Sequence, residues 1–289
     1  MPNRSGSETG GRRRPPRIVA VANQKGGVGK TTTAINLGTA LAAVDRRVLI
    51  VDLDPQGNAS TALGIPQGGR TRGSYEVMTG AIELPDAVVG TGVPNLELVP
   101  SSMTLSGAEI ELVSEFRREY RLADALADAA SRDQVQPYDY VFIDCPPALG
   151  LLTINALTAA HGVLVPLQAE FLALEGLSHL MRTIERVAHR LNPALEIQGV
   201  VLTMVDRRNK LSEAVADDVR QHLAGRVYRT EIPRNVRVSE APSHGKPVLL
   251  YDLRSAGAQA YVRLAGEFLK RERATATDAT DGAPAVVEA

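Results

Sequence analysis

Residues 21–33, VANQKGGVGKTTT, decide how this chain is read. Gly29, Lys30 and Thr31 supply the second half of the Gly-x4-Gly-Lys-Ser/Thr pattern, a loop whose backbone N–H groups cradle phosphates. Gln24 stands where the first glycine belongs, so the loop is a variant. Gly26, Gly27 and Gly29 let the main chain turn tightly and approach phosphate oxygens, and the N-terminus of a following helix adds a favourable dipole. In that geometry Lys30 bridges the β- and γ-phosphates and Thr31 ligates magnesium. Lys25 is an additional lysine in the same loop, and the loop alone leaves it open between a solvated side chain and a functional one.

The loop has the surroundings it needs. RIVAVAN (17–23) reads as a strand entering it, and KTTTAINLGTALAAV (30–44) as a helix leaving it. Further β-branched apolar runs at 46–54, 96–100, 138–144, 162–167 and 197–205 read as strands buried on both faces. Helical spacing appears at Leu174, Leu177, Leu180, Met181, Ile184, Val187 and Leu191, and again at Ala258, Tyr261, Val262, Ala265, Phe268 and Leu269. Strands alternating with helices predict an α/β fold, a mainly parallel twisted sheet with helices on both faces.

Two strand ends carry carboxylates toward the same edge of such a sheet: VDLDPQGN supplies Asp52 and Asp54, and FIDCPP supplies Asp144. Asp144 is placed to hold a magnesium-bound water and Asp54 to orient an attacking water, whereas Asp52 reads as a brace for the strand end.

The 289 residues are 44% hydrophobic, enough for one large α/β domain. Residues 1–16 and 274–289 are rich in small and polar residues and read as disordered tails around a single domain over 17–273. Cys145 is the only cysteine, which excludes an internal disulfide framework and fits a reducing cytosol. The five histidines show no metal-ligand spacing. The N-terminus lacks the apolar run of a secretory signal. The uncharged tract Cys145–Ala169 is divided by Pro146, Pro147, Gly150, Gly162 and Pro166, and reads as loop, short helix and buried strand rather than as a membrane span.

Taken together, NQKGGVGKTT, VDLDPQGN, FIDCPPALGLLTINAL and IPRNVRVSEAPSHGKPVLLYD resemble the deviant Walker A P-loop ATPases of the ParA/Soj chromosome- or plasmid-partitioning type. MinD and the nitrogenase iron protein are more distant relatives, and the likeness covers about residues 17–272. The resemblance implies a P-loop NTPase fold, ATP and Mg2+ as cofactors, and nucleotide contacts from Lys25, Gly26, Gly27, Val28, Gly29, Lys30, Thr31 and Thr32. It places Pro233 and Asn235 near the adenine, and magnesium on Thr31 and Asp144. It makes Lys25 a residue that reaches across a face-to-face dimer to the partner's nucleotide, so that ATP becomes part of a homodimer interface and hydrolysis loosens it.

Residues 207–254 carry ten Lys/Arg against six Asp/Glu in a chain of net charge −1. Charge alone allows a solvated surface with local ion pairs; the resemblance implies nonspecific DNA binding in the ATP state, with Arg208 and Arg237 as contacts. The family commonly has Arg-Thr where this chain has Arg208-Asn209. The resemblance further implies stimulation of ATP hydrolysis by a ParB-like centromere-binding protein, and a cytoplasmic, nucleoid-associated location. The alternative readings are a MinD-like cycle on membranes and ParA-like positioning of a non-DNA cargo. RERATATDATDGAPAVVEA (271–289) is too polar and acidic to form the amphipathic anchor such a cycle requires.

Overall fold

The computed structural model describes residues 15–131, 138–170, 173–206, 208–223 and 225–281. The first half runs β1 (Arg17–Val21), α1 (Lys30–Ala42), β2 (Val48–Asp52), α2 (Asn58–Ala62), α3 (Ser74–Thr79), α4 (Leu84–Ala87), β3 (Val89–Gly90), β4 (Leu96–Val99), α5 (Leu105–Glu111) and α6 (Arg121–Ser131). The second half runs β5 (Tyr140–Asp144), α7 (Leu151–Ala159), β6 (Gly162–Gln168), α8 (Ala173–Arg190), β7 (Glu196–Thr203), α9 (Lys210–His222), α10 (Val236–Glu240), α11 (Val248–Tyr251) and α12 (Ala256–Asp281).

The strands form one seven-stranded sheet in the order β3-β4-β2-β5-β1-β6-β7. Every pairing is parallel except the short antiparallel β3–β4 pair. The period-two alternation of side chains divides each central strand between two cores. Ala20, Leu49, Val51, Val141, Ile143, Val163 and Val165 point into one, under α3, α5, α6, α7 and α8. Val19, Val21, Val48, Ile50, Phe142, Leu164 and Val201 point into the other, under α1 and α12. Phe268 of α12 packs on Tyr140 and Phe142 with ring centroids 5.5 and 5.9 Å away, which fixes that helix over the middle of the sheet.

All six strands expected from the sequence are present, and β3 is the addition. A two-residue strand containing a glycine has no periodicity to detect. Of the apolar stripe expected on α12, Val262 faces solvent at 43% exposure while Tyr261, Ala265 and Phe268 are buried. Leu177, Leu180, Ile184 and Val187 of α8 are buried as their spacing requires; the side chain of Leu174 lies outside the described set.

The final helix continues to Asp281, into the segment read as a tail from residue 274. No Gly or Pro interrupts the chain before Gly282, and alanines sustain the helix. Arg271 anchors this stretch, donating to Val227 O at 2.7 Å and lying 3.9 Å above the Tyr228 ring. Residues 1–14 of the segment read as an N-terminal tail lie outside the described residues.

Segment 226–234 covers the outer side of β7. Tyr228 N donates to Val200 O at 2.8 Å, and Ile232 N to Leu202 O at 2.9 Å.

Candidate functional site

The glycine loop between β1 and α1 is fastened to its neighbours at several points. Asn23, at the end of β1, donates to Pro166 O (2.7 Å) and accepts from Lys25 N (3.0 Å), tying the loop to β6. Thr203, the last residue of β7, donates to Val28 O at 2.8 Å. Gly27 and Gly29 have φ of +75° and +88°, a left-handed conformation that side chains other than glycine rarely adopt. At Gly29 an added Cβ would meet nothing closer than 3.9 Å, so backbone conformation rather than space requires glycine there.

Lys30 and Thr31 open α1, whose buried Ala34, Ile35 and Leu37 root it in the core. The Lys30 side chain is buried and its Nζ donates to Lys25 O at 3.3 Å. Burial lowers its pKa, while Asp144, Cys145 and Asp54 counteract by favouring the charged form.

The strand register explains why the carboxylates meet. Asp52 ends β2 directly opposite Asp144 of β5, and both are fully buried. Asp52 accepts from Ser60 N (2.9 Å), Ser60 Oγ (2.7 Å) and Asp54 N (3.3 Å), so it braces the turn into α2 as the sequence suggested. Burial nevertheless pushes its pKa up to about 6, against the opposing effect of those hydrogen bonds.

Asp144 is differently placed. Neither of its buried carboxylate oxygens has a hydrogen-bond partner. Burial raises its pKa well above the carboxylate range, the charges of Asp52 and Asp54 add to the rise, and the Thr31 hydroxyl and Lys30 oppose it. A desolvated carboxylate with orphaned oxygens, beside a threonine hydroxyl, fits a hard divalent cation. Among the described residues no group of three or more His, Cys, Asp or Glu side chains could hold a metal. That donor set suits Mg2+, which keeps several waters and is bound through one or two carboxylates plus phosphates.

Gly26, Gly27, Gly29, Lys30, Thr31, Thr32 and Asp54 line one cleft of about 440 Å³, within the range of roughly 300–1,000 Å³ typical of cofactor sites. Asp54 is nearly buried, and its Oδ1 accepts from Gln56 N at 3.0 Å. The opposite wall was not anticipated. Met204, Val238, Pro242, Lys246, Pro247 and Val248 contribute to it, and Asn36 of α1 holds it by accepting from Val248 N at 2.8 Å. Most of that wall falls within IPRNVRVSEAPSHGKPVLLYD, the string already singled out in the sequence.

Pro233 and Asn235 do not line this cleft. Pro233 borders a separate pocket with Val205, Arg229 and Arg263, and Asn235 caps α10 by accepting from Val238 N at 3.3 Å. Val28 and Lys25 also lie outside the lining: Val28 is buried, whereas the Lys25 side chain is half exposed and ion-paired to Glu170.

Arg208 and Arg237 are exposed and each is engaged by acidic neighbours. Arg208 grips Asp206 through Nε (2.9 Å) and Nη2 (2.8 Å), which holds that carboxyl well below its ordinary range. Arg237 lies 2.9 Å from Glu240 and 3.5 Å from Asp252.

Comparison with known proteins bears on the family. A family model described as an AAA domain matches residues 16–197. The chain is 62% identical over 259 residues to the chromosome partitioning protein ParA of Caulobacter vibrioides, covering 90% of this chain and 96% of the relative. It is 51% identical over 251 residues to the sporulation initiation inhibitor protein Soj of Bacillus subtilis, covering 87% and 97%. Among solved structures, a Mycobacterium smegmatis protein described as cobyrinic acid a,c-diamide synthase, with bound ADP and magnesium, superposes with a TM-score of 0.77. The two are 39% identical, and the match covers 90% of this chain and 96% of that one. With its seven-stranded sheet, its variant glycine loop and these relatives, the chain belongs to the ParA/Soj family of chromosome-partitioning P-loop ATPases.

Proposed function

We propose that this protein is an ATP-operated dimerisation switch that binds DNA nonspecifically in its ATP state and is reset by hydrolysis, so that a chromosome or plasmid is segregated. The observation carrying this reading is the position of Lys25: the cleft is lined without it, and its side chain stands half exposed beside the loop. A lysine so placed is available to the triphosphate of a second copy, and two such lysines neutralise charge that hydrolysis later removes.

Within one subunit, the loop N–H groups and Lys30 bind the phosphates, and Thr31 and Asp144 hold Mg2+. The cation supplies charge neutralisation of the phosphate oxygens. Asp54 orients the attacking water, its own position set by the turn that Asp52 braces. Turnover is slow until a ParB-like centromere-binding protein stimulates it. DNA contacts are made to phosphates through Arg208 and Arg237, which gives steep salt dependence and a nucleoid-associated location in the cytoplasm. Residues 17–273 act as the single ATPase domain in this scheme.

Light scattering on the full chain tests the switch. The mass doubles with ATP and falls back with ADP or without nucleotide; one unchanged mass in all three conditions refutes the reading.

A further inference from the structure

The structure assigns Arg70, which lies between α2 and α3 and outside the cleft lining, a positioning role in hydrolysis: its guanidinium fixes the turn that carries Asp54. This rests on the role of Asp54 in the reading above and names the residue that holds that carboxylate in place.

Arg70 is only 7% exposed, an unusual setting for a cation. Among the described residues its hydrogen bonds go to no carboxylate. Nε and Nη2 donate to Ile65 O at 3.1 and 2.6 Å, and Nη2 donates also to Thr61 Oγ1 at 2.8 Å. Nη1 donates to Gly57 O at 3.1 Å and to Ser101 O at 3.4 Å. Burial works against the charge, and Asp52 is the acid whose field supports it. A buried cation with neutral acceptors is a poor source of stability, since desolvation offsets what those acceptors return. What the guanidinium supplies is geometry: a rigid planar fork of donors that holds several oxygens in one arrangement.

The choice of acceptors ties that fork to the chemistry. Gly57, Thr61 and Ile65 stand four residues apart in the segment that follows Asp54, and Ser101 lies just beyond β4. Gly57 is the link. Its N donates to Asp54 O at 2.9 Å while its O accepts from Arg70, and its φ of +61° is left-handed. An added Cβ there would stand 2.5 Å from Arg70 Nη1 and 2.7 Å from Ser101 O, so three pieces of chain meet with no space left. Asp54 Oδ1 accepts from Gln56 N inside the same turn. Thr61, whose hydroxyl accepts from Arg70 and donates to Gly57 O at 3.0 Å, itself lines the cleft.

On the other side the contact runs through Ser60, whose Oγ donates to Asp52 at 2.7 Å and accepts from Ser101 N at 2.9 Å. The Asp54 turn is therefore held twice, by Asp52 through Ser60 and by Arg70 through Gly57. Released from Arg70, it keeps its place in the fold but loses the sub-ångström placement that activation of a water requires.

The test measures intrinsic phosphate release from ATP and Mg2+ by the full chain, with kcat and KM taken separately, the mass read by light scattering and folding checked by thermal melts. Arg70→Lys keeps the charge and loses the fork: kcat should fall about tenfold or more, while KM stays within about twofold and ATP still doubles the mass. Placed on an Asp54→Ala background, Arg70→Lys should lower turnover no further, because the two residues act as one unit. Unchanged kcat in Arg70→Lys overturns the proposal. A joint loss of turnover, ATP affinity and dimer, or a chain that no longer folds, makes Arg70 a merely structural residue and overturns it too, as does a further fall of about tenfold on the Asp54→Ala background. An active Arg70→Lys beside an inactive Asp54→Ala removes the role of Arg70 alone, whereas an active Asp54→Ala removes the reading of Asp54 with it.

Discussion

The ammonium of Lys25 lies 2.6 Å from Oε2 of Glu170, and the amide of Gln168 donates to the other oxygen of that carboxylate. The lysine is thus held on its own chain, at the end of the strand that Asn23 ties to the loop. A partly exposed pair of this kind contributes about 0.2–1 kcal/mol, and a dimer breaks two of them. Glu170→Gln should therefore lower the ATP concentration for half-maximal dimerisation by roughly two- to tenfold. A light-scattering titration reads this directly, and an unchanged midpoint would show that the pair does not restrain Lys25.

Asp54→Ala separates binding from turnover. The loop, Lys30 and Thr31 are untouched, so ATP-dependent dimers should persist on DNA. Phosphate release should fall by about a hundredfold or more, as when a water-orienting carboxylate is removed. Rapid hydrolysis by this variant would remove Asp54 from the chemistry.

The acidic neighbours of the two surface arginines lead to opposite outcomes. Arg237→Glu puts a third carboxylate beside Glu240 and Asp252, and DNA retention should be lost while ATP-dependent dimerisation survives. Asp206→Asn frees Arg208 and should tighten DNA binding at low salt by a few-fold, with the gain fading as salt rises. Co-sedimentation with plasmid DNA across a salt series checks both.

His161 gives the fold a pH dependence remote from the nucleotide. Its Nδ1 accepts from Ile18 N at 3.0 Å, and burial, aided by the nearby Arg17 charge, lowers its pKa below the ordinary value of 6.5. The unfolded chain therefore takes up the proton first as pH falls, so the stabilisation present above about pH 6.5 is lost on acidification. The urea midpoint should drop between pH 7.5 and 5.5. In His161→Asn that drop should be smaller, since the amide accepts the same hydrogen bond without titrating.

Much of this was legible because the physics is local. Six buried strands announced themselves by β-branched runs, and the loop by glycines that a left-handed turn requires. The partnership of Asp52 with Asp144 depends on strand register, which pairs positions ninety-odd residues apart and leaves no trace in either segment alone. The far wall of the cleft was hidden for the same reason: Val248 meets Asn36 of α1 across 212 positions of sequence. Pro233 is absent from the cleft lining because it pairs with Val205 just beyond β7, and Asn235 because its side chain caps α10.

Both flanks of the sheet are blunted. On one side the two-residue β3 runs antiparallel to β4, and on the other the backbone of 226–232 occupies hydrogen-bonding groups of β7. An open strand edge invites further strands, and growth of that sort is hard to undo. A sheet with both margins blunted disfavours growth as a β-ribbon, and in the proposed switch copies meet instead through side chains and bound nucleotide. Encounters of that kind come apart when the ligand changes, which is what the proposed cycle of binding and release requires.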